Sequence, residues 1–258
     1  MKDSERRQEI APVLNKMRQF LLRPGLRNVL GQSNPKFDLQ ELFTKPKIVL
    51  VPLNKGLIGG ESAKLLGSLI VGLTWTLALS RANIPEEKRS IVGIYIDELQ
   101  DYISSVSSDF SDALAQARGL GVGITMAHQY REQLPPEIRA GVDANARNKI
   151  CFGVSATDAK SMAAMAPELT PEDFMALPRY HIYTSFNSEG RNTGWISGTT
   201  LPMSAALRDP AELKQKVAAR YGKSGDEVER EYLDILAESR NENTTEIESV
   251  PVGRRTKS

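Results

Sequence analysis

Apolar positions recur at helical spacing near the start of the chain. Ile10, Val13, Leu14, Met17 and Leu21 predict a helix over residues 5–22, ended by Pro24-Gly25. Residues 24–46 read mostly as loop, with a short helical piece at 39–43. Lys47-Ile48-Val49-Leu50-Val51-Pro52-Leu53 is an almost unbroken apolar run and predicts a buried strand. A turn at Gly56, Gly59 and Gly60 leads into an apolar stretch that predicts a buried helix over about 62–81.

Ile91-Val92-Gly93-Ile94-Tyr95-Ile96 is apolar without alternation, the pattern of a parallel strand covered on both faces. The next residues are Asp97 and Glu98. An amphipathic helix is predicted over 107–118, with Phe110, Ala113, Leu114 and Ala117 on one face, a serine at its start and Gly119 past its end. Strands are expected at 122–126 and 149–154, helices at 137–146 and 157–165, then strands at 180–186 and 192–197. Asp209-Pro210 opens a further helix. Ser224 and Glu227 form a capping box for a last one, running to about 239. The alternation of strand and helix predicts a mainly parallel sheet flanked by helices. The expected divisions are a helix and connecting loops at 1–46, the α/β core at 47–205, terminal helices at 206–240 and a disordered tail at 241–258.

Composition narrows the possibilities. The chain has 258 residues, 40% hydrophobic and 25% charged, with formal net charge +1. A packed core is expected, and any nucleic-acid contact must come from local patches. Cys151 is the single cysteine, so an internal disulfide is excluded; it reads as a small buried hydrophobe. The Leu65–Leu79 stretch is shorter than the roughly 20 apolar residues of a membrane span.

The candidate chemistry starts at Asp97-Glu98. A buried strand ending in two carboxylates is the layout of a Walker-B strand. The first carboxylate is placed to hold a magnesium-bound water, and the second to orient or deprotonate an attacking water. The alternative is a strand that simply ends in solvated acids. Arg118, at a helix end before glycines, and Gln129, just past a strand, follow in order. Alone, Arg118 reads as a solvated helix C-terminal cation and Gln129 as a loop amide. As a set, their spacing is compatible with neighbouring strand ends, where ligands bind in open α/β sheets.

Three runs carry a family resemblance: Ile94-Tyr95-Ile96-Asp97-Glu98-Leu99-Gln100, Ala117-Arg118-Gly119-Leu120-Gly121-Val122-Gly123-Ile124, and Ala127-His128-Gln129. They resemble the ATPase core of conjugative coupling proteins, the TraG-like members of the FtsK–HerA group. Leu53-Asn54-Lys55-Gly56, Asn145-Ala146-Arg147 and Thr157-Asp158-Ala159 extend it, over roughly residues 10–200. The resemblance implies a RecA-like P-loop NTPase core, Walker-B half, using ATP and Mg2+. It implies Asp97 as the magnesium-coordinating residue, Glu98 as the catalytic carboxylate, Gln129 as the γ-phosphate sensor and Arg118 as a finger into the neighbouring subunit's site. Arg147 is a second candidate for that trans contact. It further implies a homo-hexameric DNA-translocating motor at the cytoplasmic face of the inner membrane. Such a motor engages single- or double-stranded DNA non-specifically, together with secretion-channel and relaxase-type proteins, and reaches the membrane through segments absent from this sequence.

The sequence departs from the family in one respect. The G-x-x-x-x-G-K-[ST] loop is absent. Gly222-Lys223-Ser224 is a decoy, because Val217 stands at the first glycine position and the segment follows a helix. The chain is therefore expected to be the C-terminal half of a longer protein, a split protein or a degenerate one, and to hydrolyse ATP negligibly alone. A non-catalytic interaction module of the same fold and a helicase-like enzyme are the rival readings. For DNA, the candidate cations are Lys214, Lys216, Arg220 and Lys223, with Arg254, Arg255 and Lys257 in the tail.

Overall fold

The computed structural model describes residues 10–12, 23–103, 107–188 and 190–248. In chain order the helices begin with α1 (Pro24–Leu30), α2 (Glu41–Thr44), α3 (Lys55–Ile58) and the long α4 (Gly60–Ser80). Strand β1 (Val92–Ile96), α5 (Ser107–Ala117), β2 (Val122–Met126), α6 (Pro136–Asn145) and β3 (Lys149–Cys151) follow. Then come α7 (Ala156–Ala163), α8 (Pro171–Met175), β4 (His181–Ser188), β5 (Arg191–Thr199), α9 (Pro210–Tyr221) and α10 (Gly225–Glu248). Two compact units result. The larger holds Leu39–Leu53 and Ala63–Ala205; the smaller holds Met1–Asp38, Asn54–Ser62 and Ala206–Ser258.

In the larger unit β1 and β2 pair in parallel, in register from Val92 opposite Val122 to Ile96 opposite Met126. Their inward residues Ile94, Ile96, Val122, Ile124 and Met126 meet Val71 and Trp75 of α4, Phe110 and Leu114 of α5 and Ile138 of α6. Small residues let α4 approach closely: a Cβ on Gly67 would stand 2.2 Å from the Tyr102 ring. Gly121, at φ +70, makes the turn into β2. A second sheet, β3-β4-β5, is antiparallel. It packs through Tyr183 and Trp195 on Cys151, Met162 and Phe174 of its own cluster. The rings of Phe174 and Tyr183 meet edge-on at 5.3 Å, and those of Phe174 and Trp195 at 5.6 Å.

The smaller unit buries Leu26 of α1 and Val228 of α10. Arg27 pairs with Glu229 at 3.0 Å and Lys223 with Glu231 at 2.7 Å. Ser224 Oγ accepts the Glu227 N–H, as the capping box requires. Gly222-Lys223-Ser224 therefore links two helices, in keeping with its reading as a decoy.

Several elements differ from expectation. The 47–53 run is extended but is no strand; its backbone lies in neither ladder, and Ile48 and Leu50 are 90% and 80% exposed. A strand exists only with a partner, and none of the described strands lies against it. The strand expected at 149–154 is confined to Lys149–Cys151 and joins the antiparallel sheet, because the β4–β5 hairpin supplies its neighbour. The β1–β2 pair is covered on one face rather than both; Gly93, Tyr95, Gly123 and Thr125 are exposed. Helix α4 is correspondingly half-buried, with Leu69, Leu73 and Leu79 exposed. The span Gly60–Asn83 is long and apolar enough to cross a membrane by length and composition; Val71 and Trp75 nevertheless pack on the sheet. Pro24-Gly25 starts α1 instead of ending a helix, since proline fits the first helical turn. Of the helix expected over 5–22, residues 10–12 are helical and the rest lies outside the described residues. Helix α10 runs on to Glu248, past the expected end, with no glycine or proline to stop it before Pro251. Residues 249–258 lie outside the described residues.

Candidate half-site at the carboxyl ends of the parallel pair

Residues just past β1 and β2 are held together by the continuing ladder. Ala127 N donates to Ile96 O at 2.9 Å, and Leu99 N to Ala127 O at 3.0 Å. Between those two bonds the chain turns sharply, and Glu98 adopts φ 54, ψ 48. A non-glycine residue in the left-handed region carries a cost of about 1 kcal/mol. Such strain persists where surrounding bonds hold it. Here Leu99, fully buried, anchors one side, and Asp97 Oδ1 accepts the Glu98 N–H at 3.0 Å on the other.

The turn points the Glu98 carboxylate across the pair. Gln129 Nε2 donates to Glu98 Oε1 at 2.7 Å, and Gln100 Nε2 donates to Glu98 Oε2. Both carboxylate oxygens are thus held by amides, while Asp97 beside them is exposed. An exposed carboxylate suits Mg2+, which keeps several of its waters and takes one or two protein oxygens. Gln100 had no role in the sequence reading; its contact with Glu98 depends on the left-handed turn between them.

The loop carrying Gln129 is braced from behind. Gln133 Oε1 accepts the N–H groups of Gln129 and Tyr130, each at 3.2 Å. The Asp158 carboxylate, buried on α7, accepts Arg131 N at 3.3 Å. The Arg131 guanidinium grips Asp143 of α6 through two bonds, the longer 2.9 Å, and Asp143 raises its pKa. Burial lowers the pKa of His128, with Arg131 adding to the effect, so its imidazole is favoured neutral. Burial also lowers the Lys149 ammonium, which donates to Ala146 O at 2.6 Å. Burial pushes the Cys151 thiol up to about 11.

Arg118 is placed elsewhere. It is exposed in the turn entering β2, at the amino end of the parallel pair, whereas Asp97, Glu98 and Gln129 lie at the carboxyl end. The expectation that all of them lie near one edge is corrected. An arginine between α5 and β2 must precede its strand, while ligand-facing residues follow theirs. Arg89 grips this turn by donating to Gly119 O, and Arg81 donates to Gly121 O at 3.4 Å. Arg147 is exposed just before β3. Of the candidate DNA-contacting cations, Lys214, Lys216 and Arg220 are exposed on α9, with Lys216 paired to Glu212 at 2.5 Å. Lys223 is occupied by Glu231, and Arg254, Arg255 and Lys257 lie outside the described residues.

No protein-family model and no curated protein matches the chain. Solved structures do. A plasmid coupling protein, TrwB in complex with ADP and Mg2+, aligns at TM-score 0.50 and 21% identity, over 68% of this chain and 45% of that one. The chain shares its fold with a conjugative coupling protein. Two forms of the bacterial conjugative coupling protein TrwBdeltaN70 also align. The unbound monoclinic form does so at TM-score 0.47 and 23% identity, over 59% of this chain and 40% of that one. The trigonal form with sulphate aligns at 0.49 and 21%, over 68% and 45%. The chain thus spans less than half the length of the coupling-protein structures it matches. The coupling-protein fold agrees with the resemblance carried by the Asp97-Glu98, Arg118 and Gln129 runs.

Proposed function

We propose that this chain is the Walker-B half of an ATP-driven, DNA-translocating motor of the conjugative coupling type. The observation that carries the reading is the convergence of Asp97, Glu98 and Gln129 at the carboxyl ends of one parallel strand pair. In this reading Asp97 holds a water of the Mg2+ that accompanies ATP. When bound, the metal neutralises charge on the β- and γ-phosphates. Glu98, kept in place by Gln100 and Gln129, orients the attacking water and receives its proton. Gln129 reaches the γ-phosphate from the neighbouring loop. Arg118 serves the adjacent subunit of a homo-hexamer, for which an exposed position away from its own strand ends is suitable. DNA is held non-specifically by loops of several subunits, at the cytoplasmic face of the inner membrane, next to secretion-channel and relaxase-type partners.

The chain supplies no phosphate-binding loop, so this half depends on another for the β- and γ-phosphate cradle. The same absence favours a second reading, a non-catalytic module of this fold that binds a complete ATPase or a secretion partner. Transfer of plasmid DNA from host cells to recipients separates the two. With protein levels equal, Asp97→Asn or Glu98→Gln should lower transfer by about 10³-fold or more, the scale on which lost positioning acts in phosphoryl transfer. Unchanged transfer by both variants rejects the catalytic reading.

A further inference from the structure

The smaller unit carries two consecutive helices of opposite charge. Helix α9 exposes Leu213 and Val217, 45% and 49%, one turn apart, and none of its residues is buried. The stripe continues to Tyr221, whose ring meets Phe37 edge-on at 5.6 Å. Helical spacing puts Lys214 on one side of that stripe and Lys216 and Arg220 on the other, with Glu212 the one acid of the helix. An isolated helix of twelve residues is marginal in water, so α9 needs packing that its own chain does not supply.

Helix α10 is the complement. Over residues 225–235, Asp226, Glu227, Glu229, Glu231 and Asp234 stand against Arg230 alone. Val228 is buried and Tyr232 half-buried, but Ile235, two turns past Val228 on the same stripe, is 43% exposed. Only Gly222–Ser224 join the two helices, yet α9 does not pack along α10 of its own chain. The joint is held extended. Gly222 has φ −82 and ψ 159, Lys36 Nζ donates to Gly222 O at 2.9 Å, and Lys223 grips Glu231 at 2.7 Å. Helices so briefly connected ordinarily fold against each other. Where the joint prevents that, the same pair is available between copies.

Charge decides the occupant. DNA and an anionic bilayer both suit the α9 cations, but the acids of α10, three residues further on, repel both. An apolar stripe flanked by acids suits α9 better than either, as flanking charges choose partners in helix pairs. We infer that α9 of one copy of this chain seats Leu213 and Val217 on α10 of a second copy, beside Tyr232 and Ile235, with Lys214 and Arg220 towards its acids. The two surfaces adjoin in sequence, so the second copy's α9 comes to lie by the first copy's α10. The contact closes with two-fold symmetry. It requires neither nucleotide nor the motor reading.

Sedimentation velocity of the full chain, without nucleotide and over a range of concentrations, tests it. A monomer–dimer equilibrium is expected. Lys214→Glu with Arg220→Glu should weaken dimerisation by about 100-fold or more, and so should Asp226→Lys with Asp234→Lys, because like charges then face each other. Mixed in equal amounts, the two reversed chains should recover the dimer, since each α9 then meets an α10 of opposite charge. Val217→Ser should also weaken it, with the circular dichroism spectrum unchanged. Where a reversed chain does not fold, disulfide trapping replaces it: a Val217→Cys chain and an Ile235→Cys chain, each also Cys151→Ala, should cross-link to one another when mixed under mild oxidation. A monomer at every concentration overturns the inference. So does a dimer indifferent to both charge reversals, a mixture that fails to recover, or the absence of the mixed cross-link. A dimer behaving as expected, in a chain whose Glu98→Gln variant leaves DNA transfer unaffected, would retain this interface and reject the catalytic reading.

Discussion

The Gln129 amide donates to the Glu98 carboxylate at 2.7 Å, joining the residues that follow two adjacent parallel strands. The bond needs Glu98 in the left-handed region, at φ 54. Without that turn the carboxylate would follow the strand direction instead of crossing to the neighbouring loop.

The backbone at Glu98 makes a testable pair of variants. Glu98→Gly removes two hydrogen bonds but also relieves about 1 kcal/mol of left-handed strain. Its melting free energy should stay within about 1 kcal/mol of the parent. Glu98→Val keeps the strain, adds a β-branched side chain and loses the same bonds, so it should be the less stable of the two. Thermal melts of both decide it; equal stability would mean the positive φ is not maintained in solution.

The brace behind Gln129 predicts a stability effect. Arg131 and Asp143 are 13% and 32% exposed, so their pair is largely shielded from solvent. Arg131→Ala leaves Asp143 without its partner. Destabilisation by about 1–3 kcal/mol is expected, below the range for a fully buried pair because of the remaining solvent access. Urea denaturation measures it, and a change under about 0.5 kcal/mol, the scale of an ordinary surface substitution, would show the pair to be a solvated contact.

Cys151 offers a pH-dependent check. Burial favours its neutral thiol, raising the pKa from 9.0 to about 11. A raised acid pKa contributes stability that is fully present below about pH 9 and lost as pH rises towards 11. Native protein at pH 8 should react slowly with a thiol reagent and quickly once unfolded, and Cys151→Ala should flatten the alkaline loss of stability. Rapid native labelling would contradict the burial.

Glu41 gives the opposite sign. Hydrogen bonds from Lys45 and Lys47 hold its carboxyl at about 2, below the ordinary 4.5 of a glutamate. Its contribution is present above about pH 4.5 and lost as pH falls towards 2. Glu41→Gln should therefore differ from the parent in melting temperature at neutral pH and converge with it in acid. A difference unchanged down to pH 2 would show that neither lysine holds the carboxylate.

Much of this architecture was legible in the chain itself. The run at 91–96 announced a parallel strand by its unbroken apolar composition, although only its alternate residues Ile94 and Ile96 enter the core. Asp97 and Gln129 fell at the same end because each comes after its strand, Asp97 directly and Gln129 three residues on. Arg118 was misplaced because position in sequence does not reveal which end of a sheet a helix-to-strand turn occupies. The run at 47–53 has strand composition, but pairing is a property of the neighbour, and composition cannot supply one. The amide of Gln100 and the Arg131–Asp143 brace depend on a single turn geometry and a long-range contact, which no local pattern encodes.

The central claim is that Asp97 and Glu98, with Gln129, form a metal-nucleotide half-site. Mn2+ titration with ATP, followed by NMR of the chain, tests it directly. Paramagnetic broadening should appear first at the Glu98 backbone amide and the Gln129 and Gln100 side-chain amides, and Asp97→Asn should abolish it. Broadening that begins at the acidic surface of α10 while these signals stay sharp would contradict the account.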